Sequence, residues 1–198
     1  MDLSGLAELL AANGAHGAKA VESFLTREAS GIVALAKRTV EAQLRGGKVL
    51  VLGNGGSAAD AQHLAAELVG RYLLEREPLA ALALTVDTSV LTCLGNDYGF
   101  QAVFARQVRA HGKAGDIVIA LSTSGKSENV LEALKAARAV GCVTVGLTGE
   151  GACEMERFCD VVFKAPTGAT PRIQECHMAW VHAYCEAVEI IFVGERSP

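Results

Sequence analysis

The chain has 198 residues, 51% of them hydrophobic and 5% aromatic, with a formal net charge of −4 at pH 7. That length is enough for one domain with a sizeable core, and few aromatics favour helices packed on a Val, Leu and Ile sheet over an aromatic-rich binding surface. No basic block occurs, which argues against a nucleic-acid partner; phosphates stay open as ligands, because backbone amides and helix N-termini hold anions without net positive charge.

Residues 2–45 predict two helices. Leu6, Leu9 and Leu10, then Ile32, Val33, Leu35, Ala36, Val40 and Leu44, recur near helical spacing, and Gly46-Gly47 closes the second. The opening Met1 to Gly5 has no basic region leading into a long apolar core, so it does not read as a secretory leader. No uncharged run reaches the length of a membrane span. From residue 48 the rhythm changes to short apolar runs: Lys48 to Leu52, Leu79 to Leu84, Ile117 to Leu121, Val143 to Leu147 and Val161 to Phe163. Runs that are continuous rather than alternating predict strands covered on both faces. Segments of helical period lie between them, which predicts an α/β fold with a doubly wound, five-stranded parallel sheet. A last long helix is expected from near Pro171 to about Phe192. One domain over 1–198 suffices, with residues 1–46 a helical extension and 47–198 the α/β core. The six cysteines, Cys93, Cys142, Cys153, Cys159, Cys176 and Cys185, form no CxxC pair and no zinc-ribbon spacing. They are expected to be reduced, mostly buried thiols of a cytoplasmic protein.

In such sheets ligands bind beyond the C-terminal strand ends. The loop after the first strand, Gly53-Asn54-Gly55-Gly56-Ser57-Ala58, fits a loose GxGxxA dinucleotide pattern. Asp87, its candidate ribose partner, comes about thirty residues on, later than the usual spacing of about 20. Ser57 and Asp60 form an S-x-x-D capping pattern, so Ser57 is expected to start a helix. The loop after the third strand, Ser122-Thr123-Ser124-Gly125-Lys126-Ser127, is more informative. Four hydroxyls and a glycine at a strand end, followed by a helix N-terminus, suit a phosphate, although a Ser-rich turn capped by Ser127 would also account for them. On the helix after Gly56, His63, Glu67 and Arg71 follow at four-residue steps and share one face. The C-terminal helix carries His177 and His182 among apolar residues; His177 also fits an ordinary buried histidine. Asn96-Asp97, expected in a loop, is open between a plain turn and a substrate contact.

Taken together, GNGGSAADAQHLAAELVGRY, LGNDYGF, STSGKS and RIQECHMAWVH closely resemble the sedoheptulose 7-phosphate isomerases of the sugar isomerase (SIS) superfamily, from about Gly47 to the last helix. The resemblance implies phosphate binding by Ser122, Thr123, Ser124 and Ser127, and further substrate contacts from Asn54, Gly55, Gly56, Asn96, Asp97, Glu67 and Gln174. It implies zinc held by His63, Glu67, Gln174 and His182, with Glu67 and His182 as the acid/base pair. An Asp usual in the stretch Pro166 to Pro171 is Ala or Thr here. The implied reaction is an aldose–ketose isomerisation of sedoheptulose 7-phosphate to D-glycero-D-manno-heptose 7-phosphate through an enediol, the first step of ADP-heptose synthesis and usually destined for lipopolysaccharide. A cytoplasmic homotetramer with active sites at subunit interfaces is also implied, with no nucleic acid or membrane partner. A non-catalytic paralogue that binds the bacterial replication initiator shares the Gly-rich and C-terminal motifs but lacks the pair carried here as Glu67 and His182. The motifs also leave room for an isomerase of another sugar phosphate and for a dinucleotide oxidoreductase.

One geometric expectation follows. On one regular helix, Gln174 and His182 stand about 12 Å apart along the axis, and helical side chains lean toward the N-terminus, so Gln174 leans away from His182. Either the helix begins after Gln174, or the two side chains reach one site from different subunits.

Overall fold

The structure, a computed structural model, describes residues 3–196. Its first element is α1 (Leu3–Leu44), one continuous helix of 42 residues rather than the two expected. The reason lies in what the segment lacks: the first proline is Pro78. Gly14, Gly17 and Gly31 each cost only about 1 kcal/mol in a helix interior, and Gly31 lies against the Phe163 ring. Residues 5–16 of α1 are exposed, while Ala20, Phe24, Ile32, Leu35, Ala36 and Val40 enter the core.

The strands are β1 (Val49–Gly53), β2 (Ala81–Ala83), β3 (Ile117–Leu121), β4 (Val143–Thr148) and β5 (Val161–Lys164). They form one all-parallel sheet in the order β2-β1-β3-β4-β5. Every residue of β1 and β3 is buried, as continuous apolar strands require. Side chains alternate between two cores: Val49 and Val51 face one side, Leu50 and Leu52 the other. The first core takes in α1, α2 (Gly56–Val69) and α6 (Thr170–Arg196); the second takes in α4 (Val103–His111) and α5 (Glu128–Val140). Burying each Leu, Ile or Val contributes about 1.5–3 kcal/mol, which makes these two layers the main stabilising term. Trp180 in α6 stacks on Tyr184 at 4.9 Å and lies 5.0 Å from Phe163, and the Tyr184 hydroxyl shares a 2.8 Å hydrogen bond with Thr39 of α1.

Two boundaries differ from expectation. Strand β2 is three residues long, because Leu79 donates its N–H to Leu68 O and belongs to the turn rather than the sheet. The segment around Asn96-Asp97 is not a loop but the last turn of α3 (Thr88–Tyr98), a helix with no buried residue. All six cysteines are free, three of them buried, with Cys93 exposed. Among the described residues no helix is long and apolar enough to cross a membrane.

Candidate active site

The strand order reverses between β1 and β3, whose C-terminal residues Gly53 and Leu121 are paired. Loops leaving this point in opposite directions open a crevice, the usual ligand position in a doubly wound sheet. On one side, Gly55 (φ +56°) turns the chain into α2, which starts at Gly56, not at Ser57. Ser57 is buried in the first turn and donates its N–H to Asn54 O, so the expected capping pattern is not formed. A Cβ on Gly56 would meet the end of the Gln174 side chain, so a larger residue there would displace that amide. Asn54 pairs with Asn129 of α5 through two reciprocal amide hydrogen bonds of 2.8 and 2.9 Å. A cavity of about 170 Å³ beside Asn54 and Gly55 is walled by Leu91, Phe100 and Phe104, aromatic and aliphatic neighbours that spacing in the sequence did not reveal.

On the other side, Ser122 to Ser127 leads into α5. Gly125 has φ +61°, and a Cβ on it would strike Cys153 and Thr148, so only glycine fits this tight turn. Ser127 occupies the cap position of α5, yet its hydroxyl makes no bond to the helix and instead meets Ser122 Oγ at 3.2 Å. The Ser124 hydroxyl accepts from Lys126 N at 3.3 Å. Hydroxyls on a loop that leads into a helix N-terminus are a donor set for an anion. Thr123 uses its carbonyl to accept from Gly149 N, which ties the loop to β4.

The third group lies on the flank of the α2–α6 pair. His63 Nε2 is 3.1 Å from His182 Nε2 and 3.2 Å from Glu67 Oε1. His63 therefore links the other two, and Tyr72 rests near the His182 ring at 5.9 Å. Asp60, one turn before His63, is almost fully buried with Oδ2 unpartnered, and burial pushes its carboxyl up to about 6 against the opposing pull of His63. Arg71 does not share this face: α2 ends at Val69, and Arg71 pairs with the exposed Glu75.

Behind the trio sits a feature the sequence did not reveal, the buried pair Arg76–Glu189, each side chain 2% exposed. Arg76 donates to the carbonyls of Glu67 and Leu68, closing the last turn of α2. Its Nε lies 3.2 Å from Glu189 Oε1 but off line for a hydrogen bond. Glu189, on α6, accepts from the N–H groups of Tyr72, Leu73 and Leu74. Burial pushes its carboxyl up, but those three backbone donors and Arg76 outweigh it and hold it below the usual value. The only signal in the sequence is an acidic residue set among the apolar Val188, Ile190 and Ile191.

Other candidates separate from these groups. Gln174 and His182 share the single helix α6, so the first of the two geometric options is excluded; Gln174 packs on Gly56, about two turns from His63 and His182. Asn96 and Asp97 are exposed and bond to each other at 2.8 Å. Asp87 caps α3 by accepting from Val90 N, which engages the carboxylate a ribose would need. His177 is fully buried, with Nε2 3.4 Å from Thr148 O, and burial lowers its pKa to about 4. Thr167, where the resemblance weakens, is buried, and its hydroxyl accepts from Ala169 N.

The trio tests the fit of a cation. His63 Nε2 is either a donor or an acceptor and cannot satisfy both of its contacts fully at once; two imidazoles and a carboxylate are also a donor set that zinc accepts. The three form a contact chain with His63 in the middle, and among the described residues no group of three or more His, Cys, Asp or Glu side chains is already gathered as an ion site.

Comparison with known proteins agrees with this architecture. The SIS domain family matches residues 15–149. The chain is 57% identical over 158 residues to a phosphoheptose isomerase of Rhodospirillum rubrum, covering 79% of this chain and 84% of that one. It is 49% identical over 174 residues to that of Nitratidesulfovibrio vulgaris, covering 88% and 84%. Among solved structures it is similar to a phosphoheptose isomerase from Neisseria gonorrhoeae, with TM-score 0.87, 42% identity and coverage of 93% and 99%. A phosphoheptose isomerase from Francisella tularensis gives TM-score 0.88 and 34% identity, covering 92% and 97%. The chain belongs to the SIS-domain family and, within it, to the phosphoheptose isomerases.

Proposed function

We propose that this protein interconverts sedoheptulose 7-phosphate and D-glycero-D-manno-heptose 7-phosphate in the cytoplasm, the entry to ADP-heptose and lipopolysaccharide heptose. The observation that carries the residue roles is the contact of Glu67 and His182 through His63. Moving a proton between adjacent carbons needs a base and an acid at one place. The hydroxyls of Ser122, Thr123, Ser124 and Ser127 and the N-terminus of α5 bind the phosphate. Glu67 takes the proton from the hydroxymethyl carbon beside the ketone, and His182 exchanges protons with the two oxygens, giving an enediol. Glu67 then returns its proton to the former carbonyl carbon, leaving the aldehyde at the first. His63, Glu67 and His182 would hold zinc, which when bound polarises the substrate's oxygens.

His63 lies seven residues into α2 from Gly56, about 10 Å along the axis, so the trio and the phosphate loop of one chain are separated. The reading is completed by a homotetramer in which one subunit's trio meets the Gln174 and phosphate loop of another. The exposed Leu3, Leu6, Leu9 and Leu10 stripe of α1 and the exposed Val69, Leu82 and Val86 by the sheet edge support such assembly. Mixing Gln174→Ala with His182→Ala chains tests it. Restored activity is expected, since some sites then combine an intact trio with an intact Gln174; hetero-oligomers without activity contradict the shared site.

A further inference from the structure

We propose that Asn129 is a positioning residue for this reaction: it fixes the Asn54 amide at the mouth of the crevice and ties the Gly-rich loop to the phosphate loop. Asn54 follows β1 and Asn129 is the second residue of α5, so the pair bridges the two walls of the crevice at the strand-order reversal. Asn129 is 3% exposed, and its amide bonds across the crevice rather than serving its own helix. Each amide donates one N–H and accepts one, at 2.8 and 2.9 Å.

Only a primary amide on both sides closes this ring. Aspartate at either position would set oxygen against oxygen, and leucine would leave a donor and an acceptor bare. The ring takes one of two N–H groups and one of two lone pairs from each amide. Asn54 therefore keeps one N–H and one lone pair, now held in a fixed plane. A free asparagine amide turns easily about its last torsion and can present either atom; the clasp removes that choice. Ser127, two residues earlier, behaves in the same way, turning its hydroxyl to Ser122 rather than to its helix. Two polar side chains at the start of α5 are thus directed into the crevice, one toward each loop. Asn129 acts through Asn54, and the phosphate is held by other groups.

The inference rests on the isomerase reading, which wild-type turnover in the same assay tests separately. Kinetics with sedoheptulose 7-phosphate and inhibition by inorganic phosphate are measured for wild type, Asn129→Ala, the similarly shaped Asn129→Leu, Asn54→Ala and the double alanine variant, each checked for folding by its melting temperature. Misplacing a contact group predicts a loss of about ten- to a hundred-fold in kcat/KM for the Asn129 variants. The phosphate inhibition constant is expected to stay within two-fold, and the double variant within two-fold of Asn54→Ala. Losses that multiply in the double variant, a parallel loss of phosphate affinity, or Asn129 variants as active as wild type would each overturn the proposal. So would the failure of both Asn129 variants to fold, which would make the clasp a structural element.

Discussion

Removing the Glu189 carboxylate should cost this fold more than any surface change. Arg76 and Glu189 are each 2% exposed, and the carboxylate accepts three backbone N–H groups as well as facing the guanidinium. In Glu189→Leu the Arg76 charge stays buried without its counter-ion and the N–H groups of Tyr72, Leu73 and Leu74 lose their acceptor. Breaking a buried pair from one side costs about 3–5 kcal/mol, a large part of the roughly 5–15 kcal/mol that holds a domain together. Glu189→Gln keeps an oxygen for the N–H groups and should lose about half as much. Urea unfolding at pH 7 reads both values. Glu189 is held below the usual carboxylate pKa, so its contribution is present above that range and is lost as pH falls through its folded value; the gap between wild type and Glu189→Gln should narrow in acid. A Glu189→Leu protein within about 1 kcal/mol of wild type would refute the reasoning.

His177 supplies a second test. Its pKa falls from 6.5 unfolded to about 4 folded, so between those values the unfolded chain binds a proton that the folded one refuses. Stability should drop by up to about 3 kcal/mol over that window, and His177→Leu should abolish that part of the acid loss. Asp60 acts in the opposite direction but is common to both proteins and cancels in the comparison; equal pH profiles would contradict a neutral buried His177. Gly125→Ala forces a side chain into φ +61° against Cys153 and Thr148, which should cost about 1–3 kcal/mol and raise KM for the sugar phosphate. A variant with unchanged melting temperature and KM would show that the loop does not need this turn.

The strands and the strand–loop–helix geometry around Ser122 to Ser127 were legible because burial on both faces leaves unbroken runs such as Ile117 to Leu121, and because a strand, four hydroxyls and a helix form a local pattern. The unbroken α1 was not legible, since the apolar positions at Leu6, Leu9 and Leu10 stop well short of those from Ile32 on, while the lack of proline that lets the helix continue leaves no positive signal. The link from Glu67 to His182 was suggested by motif and runs through His63, whose partner lies 119 residues away. Asn129 and the Arg76–Glu189 pair escaped the sequence for the same reason. Asn129 looks like any polar residue early in a helix, and Arg76 and Glu189 lie 113 positions apart; neither pairing has a local spacing. Ser57 shows the opposite failure, a correct local capping pattern displaced by the turn at Gly55.

The central claim is that Glu67 and His182 move a proton between the first two carbons of a phosphorylated heptose. The most direct measurement is proton NMR of sedoheptulose 7-phosphate with the purified protein in deuterated water, alongside Glu67→Gln and His182→Ala. The account predicts an aldose product from wild type, with deuterium at the second carbon only to the extent that Glu67 exchanges its proton with water before returning it, and no product from either folded variant. Absence of turnover by folded, zinc-loaded wild type, or undiminished turnover by the Glu67 variant, would contradict it.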